Sequence, residues 1–297
     1  MSDRLCRGLV PHGGLRAVFV RVGDTARMAR VLHGLYPTAA YVFAEALAAG
    51  AVLGALQKQG AGRVNLQLEC DGPLGGLFVD ADHDGNVRGY VRRPAVHFPG
   101  DPAQGARAAL GGSGFLSVLR DVGGGQHYRS AVQLSALDLV EDLRRWFRSS
   151  EQVDTGLDIA VVGREGEPLA DVAAVLVQKL PDGDPAAIEA ARERLAGGTL
   201  RKALERGASG HDAIAEICGD GFDLLADQEL AYRCGCSPER AWAAVSALGV
   251  EGVNEVIAQD HEAVITCEFC RARYVVSEPE LRDIARRLQE RDAAGSG

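Results

Sequence analysis

The sequence predicts an α+β protein in three parts. Residues 1–181 form a body with a mixed, largely antiparallel sheet and packed helices, 182–228 a helical linker, and 229–297 a small cysteine-centred domain. Three observations carry this. Two hairpin signals lie close together in the first half, around Asp84-Gly85-Asn86 and Gly123-Gly124-Gly125. Helical and strand patterns mix there without the regular alternation of a parallel sheet. Beyond Pro181 strand formers give way to Ala, Arg and Glu, and four of the seven cysteines then crowd into positions 234–270. A chain of 297 residues that is 46% apolar is long enough for about two domains with a sizeable core.

Taken in order, "LRAVFVRV" (15–22) is rich in β-branched residues and reads as a strand. Asp24 is placed to cap a helix that runs through Leu35 and stops at Pro37. The almost continuously apolar, Ala-rich run 38–56 reads as a buried core helix rather than a membrane span. "RVNLQLEC" alternates Val64, Leu66 and Leu68 with polar neighbours, the period of a half-buried strand. The two hairpins follow, "GGLFVDADHDGNVRGYVRRP" and "GFLSVLRDVGGGQHYRSAVQL". A helix over 136–148 puts Val140, Leu143 and Phe147 on one face, and "LDIAVVG" and "ADVAAVLVQKL" supply two more strands. Gly pairs then punctuate short helical pieces up to residue 228.

A net charge of -9 opposes the electrostatic capture of nucleic acid. From Glu229 onward acids outnumber Arg and Lys by twelve to eight, against a nucleic-acid zinc ribbon. "MSDRLCRGLV" lacks the apolar run of a signal peptide, so a cytoplasmic protein that engages no membrane is expected. In a reducing compartment, clustered cysteines point to metal ligation or redox chemistry rather than permanent staples. Cys6, Cys70 and Cys218 are isolated and read as small buried hydrophobes.

Little else recommends chemistry. "DADHDGN" mimics the start of a calcium loop, but Val91 stands at the twelfth position and strands flank it, so a hairpin turn is expected. "LGGSGF" and "VGGGQHY" lack the Gly-Lys-Ser/Thr of a phosphate loop. Phe115 occupies the last position of a would-be nucleophile elbow around Ser113, and the seven histidines are scattered. No nucleophile–base constellation emerges, and a non-enzymatic role is expected.

The four cysteines differ. Cys234 and Cys236 stand one glycine apart in "YRCGCSPERAWAAV", and Cys267 and Cys270 two residues apart in "TCEFCRARY". Each pair is a knuckle that aims two sulfurs at one point, and together they supply the tetrahedral four-thiolate set that Zn2+ prefers, one ion per chain. Gly235 is expected to permit a sharp bend between the first two. Ser237 and Pro238 start a helix that Gly249 can end, a second short helix runs through "GVNEVIAQ", and "AVITCEFCRARYVV" reads as strand–knuckle–strand. Ser277 and Glu280 form a capping box for a last helix with Leu281, Ile284 and Leu288 on one face. A disulfide between Cys234 and Cys236 would close a small strained ring, the kind that is readily reversed. Thiolates are the form that oxidants attack, so such a site can respond to peroxide.

At these residues the chain resembles the heat shock protein 33 family of redox-regulated chaperones. "YRCGCSPERAWAAVSALG" and "EVIAQDHEAVITCEFCRARYVV" match its cysteine signature. "LECDGPLGGLFVDADHDGNVRGYV", "GFLSVLRD", "YRSAVQL" and "LRRWFRSSEQVDTGLDIAV" resemble its N-terminal body in order and spacing. Pro238 departs from the basic residue expected there, and 184–227 matches only loosely. The resemblance implies an ATP-independent holdase that captures unfolding proteins under oxidative stress. It implies zinc on Cys234, Cys236, Cys267 and Cys270 in the reduced state. It further implies Cys234–Cys236 and Cys267–Cys270 disulfides after oxidation, with zinc release, unfolding of the C-terminal region, and a homodimer. Two rivals remain open at this level: a constitutive adaptor with a structural zinc module, and a thiol–disulfide oxidoreductase using Cys267 and Cys270. The latter lacks a thioredoxin-like βαβ context.

Overall fold

Two sheets with a helix between them build the first of two units into which the chain divides, Met1–Arg233 and Cys234–Gly297. The computed structural model describes residues 2–60 and 62–295. In the first unit the elements run β1 (Arg4–Val10), β2 (Leu15–Arg21), α1 (Gly23–His33), α2 (Pro37–Ala55), β3 (Val64–Cys70), β4 (Gly76–Ala81) and β5 (Asn86–Val91). Then come α3 (Pro102–Leu110), β6 (Gly114–Gly123), β7 (Gln126–Gln133), α4 (Leu139–Trp146), β8 (Thr155–Arg164) and β9 (Glu167–Lys179). The unit ends with α5 (Pro185–Ala196), α6 (Thr199–Glu205), α7 (Gly210–Cys218), β10 (Asp223–Glu229) and β11 (Ala231–Tyr232). One sheet has the order β10-β1-β2-β9-β8 and the other β11-β5-β4-β3-β6-β7. Pairing is antiparallel except between β11 and β5, so the α+β class read from the sequence is the class observed.

The apolar run of β9 is explained by burial on both faces. Val172, Ala174 and Leu176 join the core around α2, while Ala173, Val175 and Val177 join a second core under α5–α7. A strand covered on both sides has no polar face and therefore no alternation. The same reasoning accounts for α2. It is long and apolar enough to cross a membrane, but 89% of its apolar window is buried between the two sheets, and a helix apolar all round belongs in a core. Gly50 and Gly54 let it approach the second sheet closely: a Cβ at Gly50 would lie 2.4 Å from Val79 Cγ1, and one at Gly54 2.6 Å from the Asp82 carbonyl oxygen.

Several details differ from the sequence reading. Asp24 is not a cap; α1 opens on Gly23, and the carboxylate of buried Asp3 accepts from the Asp24 and Thr25 amides at 2.9 and 2.7 Å. Pro37 starts α2 rather than merely ending what precedes it. The helix expected over 136–148 begins at Leu139, capped by Asp138, and passes into a π-helical turn over Phe147–Glu151. It buries Leu139, Leu143, Trp146 and Phe147, with Val140 only partly covered. The strands β1 and β10 and the helix α3 had no counterpart in the sequence reading. Within 182–228, α5–α7 bury Ile188, Leu195, Leu200, Leu204, Ile214 and Ile217 against the β2/β9 face, and β10 pairs with β1. That segment thus packs within the first unit, and the division between units falls after Arg233.

The second unit holds α8 (Pro238–Ser246), α9 (Gly249–Gln259), β12 (Glu262–Thr266), β13 (Arg273–Ser277) and α10 (Glu278–Gly295). Ser237 caps α8 by accepting from the Arg240 amide at 3.4 Å. Gly249, with φ of 72°, opens α9 instead of closing α8. Glu280 accepts from the Ser277 amide and hydroxyl at 2.8 and 2.7 Å. Its core is small: Val245, Val253, Val276, Leu281, Ile284, Ala285 and Leu288.

Candidate metal centre

Cys234 and Cys236 lie in the extended segment just before α8, and Cys267 and Cys270 in the turn that joins β12 to β13. That turn is fixed by its backbone. The Arg271 amide donates to the Cys267 carbonyl and the Cys267 amide to the Ala272 carbonyl, both at 2.9 Å. Arg271 takes a left-handed φ of 57° to close it. Gly235, expected to be required for a bend, is in an ordinary conformation, and a Cβ there would meet nothing nearer than Arg240 at 3.9 Å. The tight turn falls on Arg271 instead.

The two knuckles converge. All four Sγ atoms lie within 4.8 Å of one another. The near contacts run between knuckles, 3.7 Å from Cys234 to Cys267 and 3.1 Å from Cys236 to Cys270. Sulfurs tetrahedrally placed at about 2.3 Å from zinc would stand roughly 3.8 Å apart. The donor set and its spacing therefore suit a tetrahedral thiolate metal. Among the described residues, no disulfide joins any of the seven cysteines.

Tyr274, on β13, donates its Oη–H to Cys236 Sγ at 3.0 Å. Burial works to raise the Cys236 thiol, but the hydrogen bonds from Tyr274 and then Cys270 outweigh it and bring the group down to about 7. Burial, then the bond with Cys236, pushes Cys270 up to about 12. The bond to Cys236 chiefly pushes Tyr274 up to about 12. One sulfur of the set is thus favoured as thiolate, with protons shared among its neighbours. Sequence reasoning missed Tyr274, although it stands four residues beyond Cys270, where the returning strand passes the cluster.

Of the isolated cysteines, Cys6 is buried as expected, while Cys70 and Cys218 are only partly so. Burial, then Asp227, pushes Cys6 up to about 12; burial does the same for Cys218 and is the largest cause that raises Cys70. The "DADHDG" stretch is a hairpin turn, with Asp82 accepting from the Asp84 and Asn86 amides at 3.0 and 3.1 Å. Asp80 is buried among Arg63, Asn65 and Arg88.

Comparison with known proteins agrees with this geometry. The family model described as "Hsp33 protein" matches residues 3–277. The "33 kDa chaperonin" of Nostoc punctiforme is 34% identical, over 97% of this chain and 98% of that protein. Its Synechocystis counterpart is 36% identical over 99% of each. The solved 33 kDa chaperonin (heat shock protein 33 homolog) of Thermotoga maritima superposes with a TM-score of 0.83 at 25% identity, covering 96% of this chain and 98% of that one. On sequence, fold and cysteine cluster together, the chain belongs to the Hsp33 family.

Proposed function

We propose that the protein is an ATP-independent, redox-switched holdase rather than an enzyme. It binds unfolding proteins under oxidative stress and is inactive while its C-terminal unit is folded. The observation that carries this is the convergence of four cysteine sulfurs within 4.8 Å in a unit whose core is seven side chains. Cys234, Cys236, Cys267 and Cys270 are the ligands in this reading, and Zn2+ the metal. When bound, zinc holds the four sulfurs as thiolates and ties the segment before α8 to the β12–β13 hairpin.

Oxidation joins Cys234 to Cys236 and Cys267 to Cys270. Four thiolates give four electrons to two molecules of peroxide, forming two disulfides and four hydroxide ions. A disulfide is no longer a thiolate ligand, so the tie between the two segments is lost and the unit unfolds. Apolar surface is then exposed for clients, and oxidised chains pair as homodimers. The setting is the cytoplasm, with no nucleic acid or membrane as partner.

The test is light scattering from a thermally aggregating client, combined with zinc and thiol counts before and after peroxide at elevated temperature. The expected result is loss of one zinc and four thiols together with gain of aggregation suppression. Equal suppression by the reduced, zinc-loaded protein would remove the switch from this account. Turnover of a disulfide substrate by trace protein would identify an oxidoreductase instead.

A further inference from the structure

We propose that Tyr274 is a positioning residue for the switch. Its hydroxyl holds Cys236 in the cage, tightening metal binding and slowing oxidation of that sulfur. The inference rests on the redox-switch reading above and adds a residue to it.

The geometry is specific. The Cys236 sulfur contacts Cys270 at 3.1 Å and the Tyr274 hydroxyl at 3.0 Å. Tyr274 is fixed by its place in the hairpin, where it pairs with Ile265 two positions before Cys267. The segment around Cys236 lies between elements until Ser237 caps α8. The hydrogen bond therefore spans the two halves of the cage and ties the segment before α8 to the β12–β13 hairpin.

A hydrogen bond to a thiolate draws electron density from the sulfur. Partners of this kind around metal ligands typically change metal affinity by about 10–100-fold. A less electron-rich thiolate is also a poorer nucleophile. Oxidation begins when the Cys236 thiolate attacks peroxide: an S–O bond forms, the O–O bond breaks, and hydroxide leaves. The Cys234 thiolate then attacks that sulfur, the S–S bond forms, a second hydroxide leaves, and two electrons have passed to the peroxide. The product sulfur is neutral and only a weak acceptor. Tyr274 thus stabilises the thiolate side and loses its partner on the disulfide side, so the same bond that delays oxidation is released by it.

The experiment uses the full zinc-loaded chain and Tyr274→Phe, which keeps the ring and removes the donor. Chelator competition should show zinc held about tenfold more weakly, and peroxide should release it about tenfold faster. With Co2+ in place of Zn2+, the sulfur-to-metal charge-transfer band should move to lower energy, a readout that altered packing alone would not shift this way. Ring-fluorinated tyrosine at position 274, a stronger donor of the same shape, should move all three in the opposite direction and covers the case in which Y274F folds poorly. Wild-type values in both substituted proteins, with normal zinc release in the wild type, would overturn the role of Tyr274 and leave the switch intact. Retention of zinc by peroxide-treated wild type would instead overturn the switch itself.

Discussion

Removing the metal from the reduced protein should unfold the C-terminal unit and spare the N-terminal one. The core of the former is Val245, Val253, Val276, Leu281, Ile284, Ala285 and Leu288. At about 1.5–3 kcal/mol for each large side chain, their burial contributes roughly 10–20 kcal/mol before any entropic cost. Structural zinc contributes about 10–16 kcal/mol in small zinc peptides. A zinc ion held there, as proposed, would be worth about as much as the whole apolar core, whereas the net stability of an entire domain is only about 5–15 kcal/mol. No margin is left once it goes. The N-terminal unit, with α2 enclosed between two sheets and a second core beneath α5–α7, has no such dependence. Amide hydrogen exchange after chelation under reducing conditions reads both units at once. Val253, Val276 and Leu281 should lose protection while Val175 and Leu47 keep theirs. Continued protection of the first three in metal-free protein would refute the argument, since the thin core would then suffice alone.

Three further outcomes follow from particular groups. Asp80 is a buried carboxylate facing Arg63 at 3.2 Å and Arg88 at 2.7 Å. Because both guanidiniums keep some solvent, Asp80→Ala should cost about 2–3 kcal/mol, read as a lower urea midpoint at unchanged slope; no change in midpoint would show that the pair contributes nothing. Burial, then nearby Asp138, raises Glu45 from 4.5 to about 8. The folded state then keeps a proton that the unfolded chain releases, so stability should fall as pH rises from about 4.5 to about 8. Glu45→Gln should flatten this dependence of Tm, and equal slopes in the two proteins would contradict it. Finally, limited peroxide followed by thiol alkylation and mass spectrometry should find Cys6 and Cys218 reduced after the clustered four are oxidised; early loss of either would contradict the protection by burial.

How much the sequence disclosed depended on the range of the contact involved. The hairpins at Asp84-Gly85 and Gly124-Gly125 were legible because turn chemistry is local, and so was the Ser237–Pro238 helix start. β10 was not, because its residues are mostly exposed and its strand character comes from pairing with β1 across more than two hundred positions. The capping of α1 failed for the same reason: Asp3, distant along the chain, occupies the role assigned to Asp24. At the cluster, the four cysteines were legible from spacing. The hydroxyl of Tyr274 was not, because only the folded hairpin carries it to Cys236. Gly235 was misjudged since a Cys-Gly-Cys string looks like a strained bend, while the observed strain sits at Arg271.

The distribution of sulfur across the two units also follows from this physics. A thiol that is to respond to oxidant must reach the thiolate state and be open to the oxidant, which a deep apolar setting opposes. Burial in a large core works the other way, and Cys6 and Cys218, pushed up to about 12, are the result. A sensor built into the core around α2 would therefore be either unreactive or, once oxidised, destructive to the body of the protein. Placing the four sulfurs in a small unit avoids both outcomes. Its core is slight, and on the proposed reading its stability is close enough to that of a single metal site for oxidation of the four sulfurs to decide whether it stays folded. Reactivity and conditional stability thus share one cause, the small size of the unit that carries them.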